Sequence, residues 1–145
     1  MEKVKSNIAE YIPQRPPMIM IDDLVRADHS SATTTLRISE DNLFVDKGLF
    51  TEPGLIENMA QTAAALVGYQ CKITKTAVPL GFIAAIKNWK LHKLPELNSE
   101  IETSVQVVNN VMDVTIVEGM VVQGAEKVCS CELRILVQPN SEAKK

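Results

Sequence analysis

The sequence predicts an α+β domain in which a curved antiparallel sheet wraps one long helix. Three observations lead there. Residues 53–71 carry a single charged side chain, Glu57, and their alanines and leucines favour helix. The chain after Pro79 turns to runs that alternate apolar and polar residues, the period of a strand with one buried face. One such run, Ser31–Ser39, also precedes the helix. A helix apolar on nearly all sides is buried on nearly all sides, so the strands have to curve around it.

Taken in order, Val4, Ile8 and Tyr11 or Ile12 recur at helical spacing and predict a short first helix. Pro13, Pro16 and Pro17 stop it and impose an extended segment. In Ser31–Ser39, Ala32, Thr34, Leu36 and Ile38 share one face, with Thr33, Thr35 and Arg37 on the other. Glu40–Glu52 reads as a loop. Pro53-Gly54 introduces the long helix, Leu55–Cys71. Strand-like runs follow at Leu80–Leu91, Ile101–Val107 and Val111–Val122, and Gln123–Glu126 reads as a hairpin turn. In the last strand Cys129, Cys131, Leu133, Ile135 and Val137 face one way; Ser130, Glu132 and Arg134 face the other. The domain spans 1–138, and 139–145 is a polar tail expected to fray. The sheet leaves an edge strand open, and edges invite pairing, so a homodimer or higher oligomer is expected.

Composition narrows the function. The 145 residues are 46% hydrophobic and 23% charged, with a formal net charge of −3, which suits one ordinary globular domain. The charges are interspersed and only six residues are aromatic, so nucleic acid is not an expected partner. Glu57, Asn58, Gln61, Thr62 and Gln70 argue against a membrane span in the long helix. The N-terminus has no apolar core of signal-peptide type, and three cysteines do not suggest a complete disulfide framework; both point to the cytoplasm. Cys129 and Cys131, two apart on a strand, read as small core thiols. Neither metal nor organic cofactor is implied, since His29 and His92 share no ligand-like spacing with a cysteine.

Glu57 is the leading candidate for chemistry. It stands near the start of the buried helix among Leu55, Ile56, Met59 and Ala60, and Gln61 lies four residues on, on the same face. A carboxylate in apolar surroundings suits general acid or base work. The competing reading is a helix-start glutamate that only complements the helix dipole.

Glu57-Asn58-Met59-Ala60-Gln61 resembles the E-A-M-A-Q of the 3-hydroxyacyl-acyl-carrier-protein dehydratases, a hotdog-fold family. Ile12-Pro13-Gln14-Arg15-Pro16-Pro17-Met18-Ile19-Met20-Ile21-Asp22 is similar to that family's L-P-H-R-x-P-F-L-L-V-D. Phe82–Ile86 with Trp89-Lys90 resembles its F-A-G-I stretch and the strand after it. The dehydratases of the aryl-polyene and flexirubin type look like the nearer branch. The resemblance implies a hotdog fold, a site at a dimer interface, and an acyl thioester of acyl-carrier protein or coenzyme A as substrate, in fatty-acid or polyene-type biosynthesis. It implies Glu57 as the helix acid, Gln61 as its hydrogen-bonding partner, and Leu43, Phe44, Pro53 and Gly54 around the substrate.

One position departs. The family's catalytic histidine falls on Leu43, and no histidine lies between His29 and His92. His29 and His92 read as surface residues, and Asp46 is the best stand-in in that loop. Pro53-Gly54 sits two residues closer to the acid than the family's P-G. Three expectations follow: a dehydratase with a degenerate site and an unusual or borrowed base, a thioesterase using Glu57 alone, or a non-catalytic subunit that pairs with an intact, histidine-bearing dehydratase. Lys72, Lys75, Lys87, Lys90 and Lys93 are available to an acidic carrier protein.

Overall fold

The structure, a computed structural model, describes residues 2–3 and 7–138. Strands β1 (Glu2–Lys3), β2 (Asp23–Ala27) and β3 (Ser31–Arg37) come first. A two-stranded hairpin, β4 (Val45–Asp46) and β5 (Leu49–Phe50), leads into the helix α1 (Glu52–Thr74). Four long strands complete the chain: β6 (Leu80–Leu91), β7 (Glu100–Val111), β8 (Val114–Gln123) and β9 (Glu126–Gln138). They form one antiparallel sheet in the order β1-β2-β3-β7-β8-β9-β6, with α1 packed in its hollow. This is the hotdog arrangement. The tail 139–145 and Val4 lie outside the described residues.

Helix α1 starts three residues before the expected Leu55 and ends three after Cys71. Thr51 is the extended N-cap, so Pro53 falls in the first turn, where a missing N–H costs nothing. Lys75 closes the helix in the left-handed conformation, φ 57°. The expected first helix is a single 3₁₀ turn, Ile8–Glu10, capped by Asn7. So short a segment does not repay helix nucleation, and Pro13 bars its extension. The expected loop 40–52 contains the β4–β5 hairpin, whose two-residue strands carry no readable period.

The core is one cluster in which Leu55, Met59 and Leu66 of α1 meet Ile101, Val117 and Leu133 of the sheet. Burying these large side chains contributes about 1.5–3 kcal/mol each. Gly68 is fixed by close approach: a Cβ there would stand 2.0 Å from the Tyr11 carbonyl oxygen. The helix is not covered all round. Glu57, Ala60, Ala64 and Val67, spaced at three and four residues, form a half-buried stripe that the sheet leaves open. Beside that stripe runs β6, an edge strand of twelve residues. Leu80 and Phe82 on it are 53% and 49% exposed.

Candidate functional site

Glu57 stands in the second turn of α1 and opens onto a groove of about 460 Å³. The helix contributes Ala60, Ala63, Ala64 and Val67 to this groove; Val78–Ile83, Ile135 and Val137 form the facing wall, and Pro13 and Gln14 one end. Its lining is apolar except for Glu57 and Gln14. The carboxylate is held from one side: Gln61 Nε2 donates to Glu57 Oε2 at 2.7 Å. Among the described residues no donor reaches Oε1, which leaves that oxygen for a ligand.

Gln61 is fully buried and does more than hold Glu57. Its Nε2 also donates to the Met18 carbonyl at 2.7 Å, and its Oε1 accepts from the Met20 N–H at 2.7 Å. Asn58, equally buried, donates from Nδ2 to the Met20 carbonyl at 2.8 Å and accepts from Thr103 Oγ1 at 2.5 Å. Thr62 Oγ1 donates to the Asn58 carbonyl and pairs with Thr34 Oγ1 at 2.7 Å. The two amides therefore staple the Met18–Met20 segment to the helix. Each of these buried side chains, Gln61, Asn58, Thr62, Thr34 and Thr103, is paired, which a low-dielectric interior demands. The staple ties the helix turn bearing the acid to the Met18–Met20 segment, which follows Gln14 in the chain.

The residues expected around the substrate fall outside this groove in the single chain. Leu43 is 54% exposed on the loop before β4. Phe44 packs on the first helical turn: a Cβ at Gly54 would lie 2.7 Å from Phe44 Cβ and 2.6 Å from Phe50 Cε1, so this glycine admits both rings. Pro53 is exposed in the same turn. No histidine lines the groove. His29 and His92 are both exposed, His29 in the turn between β2 and β3 and His92 just past β6. Asp46 is exposed in the β4–β5 hairpin.

The cysteines are free thiols, with Cys129 and Cys131 buried on the inner face of β9. Burial pushes Cys129 up to about 12, and Cys131 up to about 11, so neither is a nucleophile near neutral pH. A second hollow of about 530 Å³ lies on the outer face of the sheet among Ser104, Glu118 and Ser130, away from Glu57. Among the described residues no three His, Cys, Asp or Glu side chains converge as a metal site would require, and no helix is long and apolar enough to cross a membrane.

Sequence reasoning missed Asn58 and passed over Gln14. The signal for Asn58 was present, since it replaces the alanine of E-A-M-A-Q, but its partner Met20 is 38 residues away.

Comparison with known proteins agrees with this fold. In Xenorhabdus doucetiae, a chain of the dehydratase heterocomplex ApeI:P superposes with a TM-score of 0.82 at 17% identity, over 96% of this chain and 95% of that one. A hypothetical thioesterase protein from Streptococcus pneumoniae TIGR4, solved with coenzyme A, gives 0.65 at 10% identity over 81% and 86%. The curated 3-hydroxyacyl-[acyl-carrier-protein] dehydratase FabZ of Pediococcus pentosaceus is 26% identical, covering 91% of each chain. The family model described as ApeP-like, ApeP dehydratase, matches residues 6–145, and the chain belongs to that dehydratase family.

Proposed function

We propose that this chain supplies the acid half of a two-chain site that dehydrates 3-hydroxyacyl thioesters, in fatty-acid or polyene-type biosynthesis, with the base borrowed from a histidine-bearing partner. The observation that carries the reading is Glu57: anchored through one oxygen by Gln61, free at the other, and facing an apolar groove that holds no histidine. The stripe from Glu57 to Val67 runs about 15 Å at 1.5 Å per residue, which suits an extended acyl chain of medium length.

The chemistry divides between two groups. A base removes the proton on the carbon next to the thioester carbonyl, and the electron pair moves into an enolate. Glu57, entering as the acid, gives its proton to the leaving 3-hydroxyl; water departs, the C2–C3 double bond forms and Glu57 is left as carboxylate. Removing so weakly acidic a proton needs a matched base, and a lost general acid or base costs about 10²–10⁴ in rate. Leu43, where the family's base falls, has no proton to exchange. A partner histidine fills that need, and the solved ApeI:P heterocomplex supports a mixed pair. The long exposed edge of β6, next to the groove, supports pairing there with a second copy or a related chain. Leu43 and Pro53, exposed at the same end of the helix as Glu57, are available to line the partner side of the site, with Phe44 and Gly54 supporting them.

A second reading is favoured by the same absence of histidine: a thioesterase in which Glu57 alone serves as base or nucleophile. A panel of thioesters separates the two. Incubation with 3-hydroxydecanoyl and decanoyl thioesters, with the chain alone and mixed with a histidine-bearing dehydratase of the same fold whose own helix acid is substituted, is followed by mass. Loss of 18 mass units from the hydroxy substrate in the mixture alone is the expected result. Release of free decanoic acid by the chain alone would establish the thioesterase instead. Silence on every thioester in every combination would leave neither reading standing.

A further inference from the structure

We infer that Gln14 is a specificity-determining residue of the groove, its side-chain amide accepting the hydrogen of the substrate's 3-hydroxyl. The inference rests on the acyl-thioester reading of Glu57 and goes beyond it by naming the group that tells a 3-hydroxyacyl chain from a saturated one. Two independent observations carry it. Gln14 lines the same groove as Glu57, in walls that are otherwise apolar. Its Oε1 is also buried without any donor.

That second fact stands out against its surroundings. The neighbouring buried amides and hydroxyls, Gln61, Asn58, Thr34, Thr62 and Thr103, are all paired. Apart from Gln14, only Gln123, far along the chain, leaves such an atom alone among the described residues. A buried acceptor with no donor is unfavourable, and a fold that satisfies every neighbour while leaving this one calls for an explanation.

The backbone holds the residue firmly in place. Pro13 and Pro16 restrict the segment around it, and the Arg15 guanidinium clasps the Ile12 and Gln14 carbonyls at 2.7 Å each. The terminal amide sits on a soft torsion. A donor entering the groove pairs this oxygen once the amide turns toward it. A 3-hydroxyacyl thioester brings one such donor on its acyl chain, the 3-hydroxyl. With its hydrogen given to Gln14, that oxygen turns a lone pair outward, the orientation in which it can take a proton from Glu57. A saturated chain brings no donor and leaves the amide unpaired, and sites built to pair a hydroxyl reject analogues that lack it.

The test measures binding of 3-hydroxydecanoyl-pantetheine and decanoyl-pantetheine to the full chain, with thermal melts alongside. The wild type should prefer the hydroxy compound by about tenfold, the scale of one good neutral hydrogen bond. Gln14→Met keeps the volume without the acceptor. It should bind both compounds equally, at the wild-type affinity for decanoyl-pantetheine, and melt no lower than wild type. Gln14→His restores an acceptor and should recover the preference. Equal wild-type affinity for the two compounds overturns the inference while leaving the acyl-thioester reading intact. Parallel loss of both affinities in Gln14→Met, with a lower melting temperature, would make Gln14 a packing residue and also overturn it. Failure of the wild type to bind either compound, alone or assembled with a histidine-bearing partner, would overturn both.

Discussion

Gln61 offers the sharpest separation of scaffold from chemistry. Gln61→Met keeps a straight side chain of similar volume, so the core is neither emptied nor overfilled. It removes three hydrogen bonds at once: those to Met18 and Glu57 from Nε2, and the one from Met20 at Oε1. The losses differ. The Met20 N–H is buried and would be left without an acceptor, a cost of about 1–3 kcal/mol. The Met18 carbonyl is partly exposed and can turn to water, for about 0.5–1 kcal/mol. Glu57 keeps access to solvent through the groove and adds little. The sum is about 1.5–4 kcal/mol, or roughly 4–15 °C in melting temperature for a domain of this size. Differential scanning calorimetry at neutral pH checks it. A drop below 2 °C would refute the staple, and with it the claim that the Met18–Met20 segment is held to the helix by this side chain.

Other consequences are simpler to test. Gly68→Ala forces a Cβ to within 2.0 Å of the Tyr11 carbonyl, so chemical denaturation should show a loss of about 2 kcal/mol or more, despite alanine's better helix propensity; an unchanged or raised stability would deny the close approach. Cys129 and Cys131 titrate above their ordinary value of 9.0 in the folded chain, so stability conferred by the neutral thiols is complete below pH 9 and is lost as pH rises through about 11 to 12. Denaturation midpoints from pH 8 to 10.5 should therefore fall, and fall less in Cys129→Ala; a flat profile would contradict the burial. Phe82→Lys places a charge on the open edge of β6, and light scattering should report dimer for the wild type and monomer for the variant. Wild-type monomer at micromolar concentration would remove the edge-pairing account.

The sequence made much of this structure readable because its signals were local. The charge-free run around Glu57 marked the helix, and strict alternation marked β3, β7 and β9. The acid itself was conspicuous as the only charge between Pro53 and Cys71, and Gln61 as its partner followed from a spacing of four. What escaped was non-local. The bonds from Gln61 to Met18 and Met20 span 43 and 41 residues, and no periodicity announces them. The open stripe of the helix escaped for a related reason. Ala60, Ala64 and Val67 are as apolar as the residues buried opposite them, so composition gives no sign of which side the sheet leaves bare. The β4–β5 hairpin was hidden by its size.

The central claim is that Glu57 acts as the acid in a site completed by another chain's histidine. The most direct measurement is single-turnover dehydration of a 3-hydroxyacyl thioester by a mixed assembly of this chain with a histidine-bearing dehydratase subunit, using wild type and Glu57→Gln in this chain. The partner carries a substitution of its own helix acid, so that only the composite site can turn over. The account predicts activity with wild-type Glu57, a fall of about 10² or more with Glu57→Gln, and no turnover by this chain alone. Equal rates for the two assemblies, or full dehydration by this chain without any partner, would contradict it.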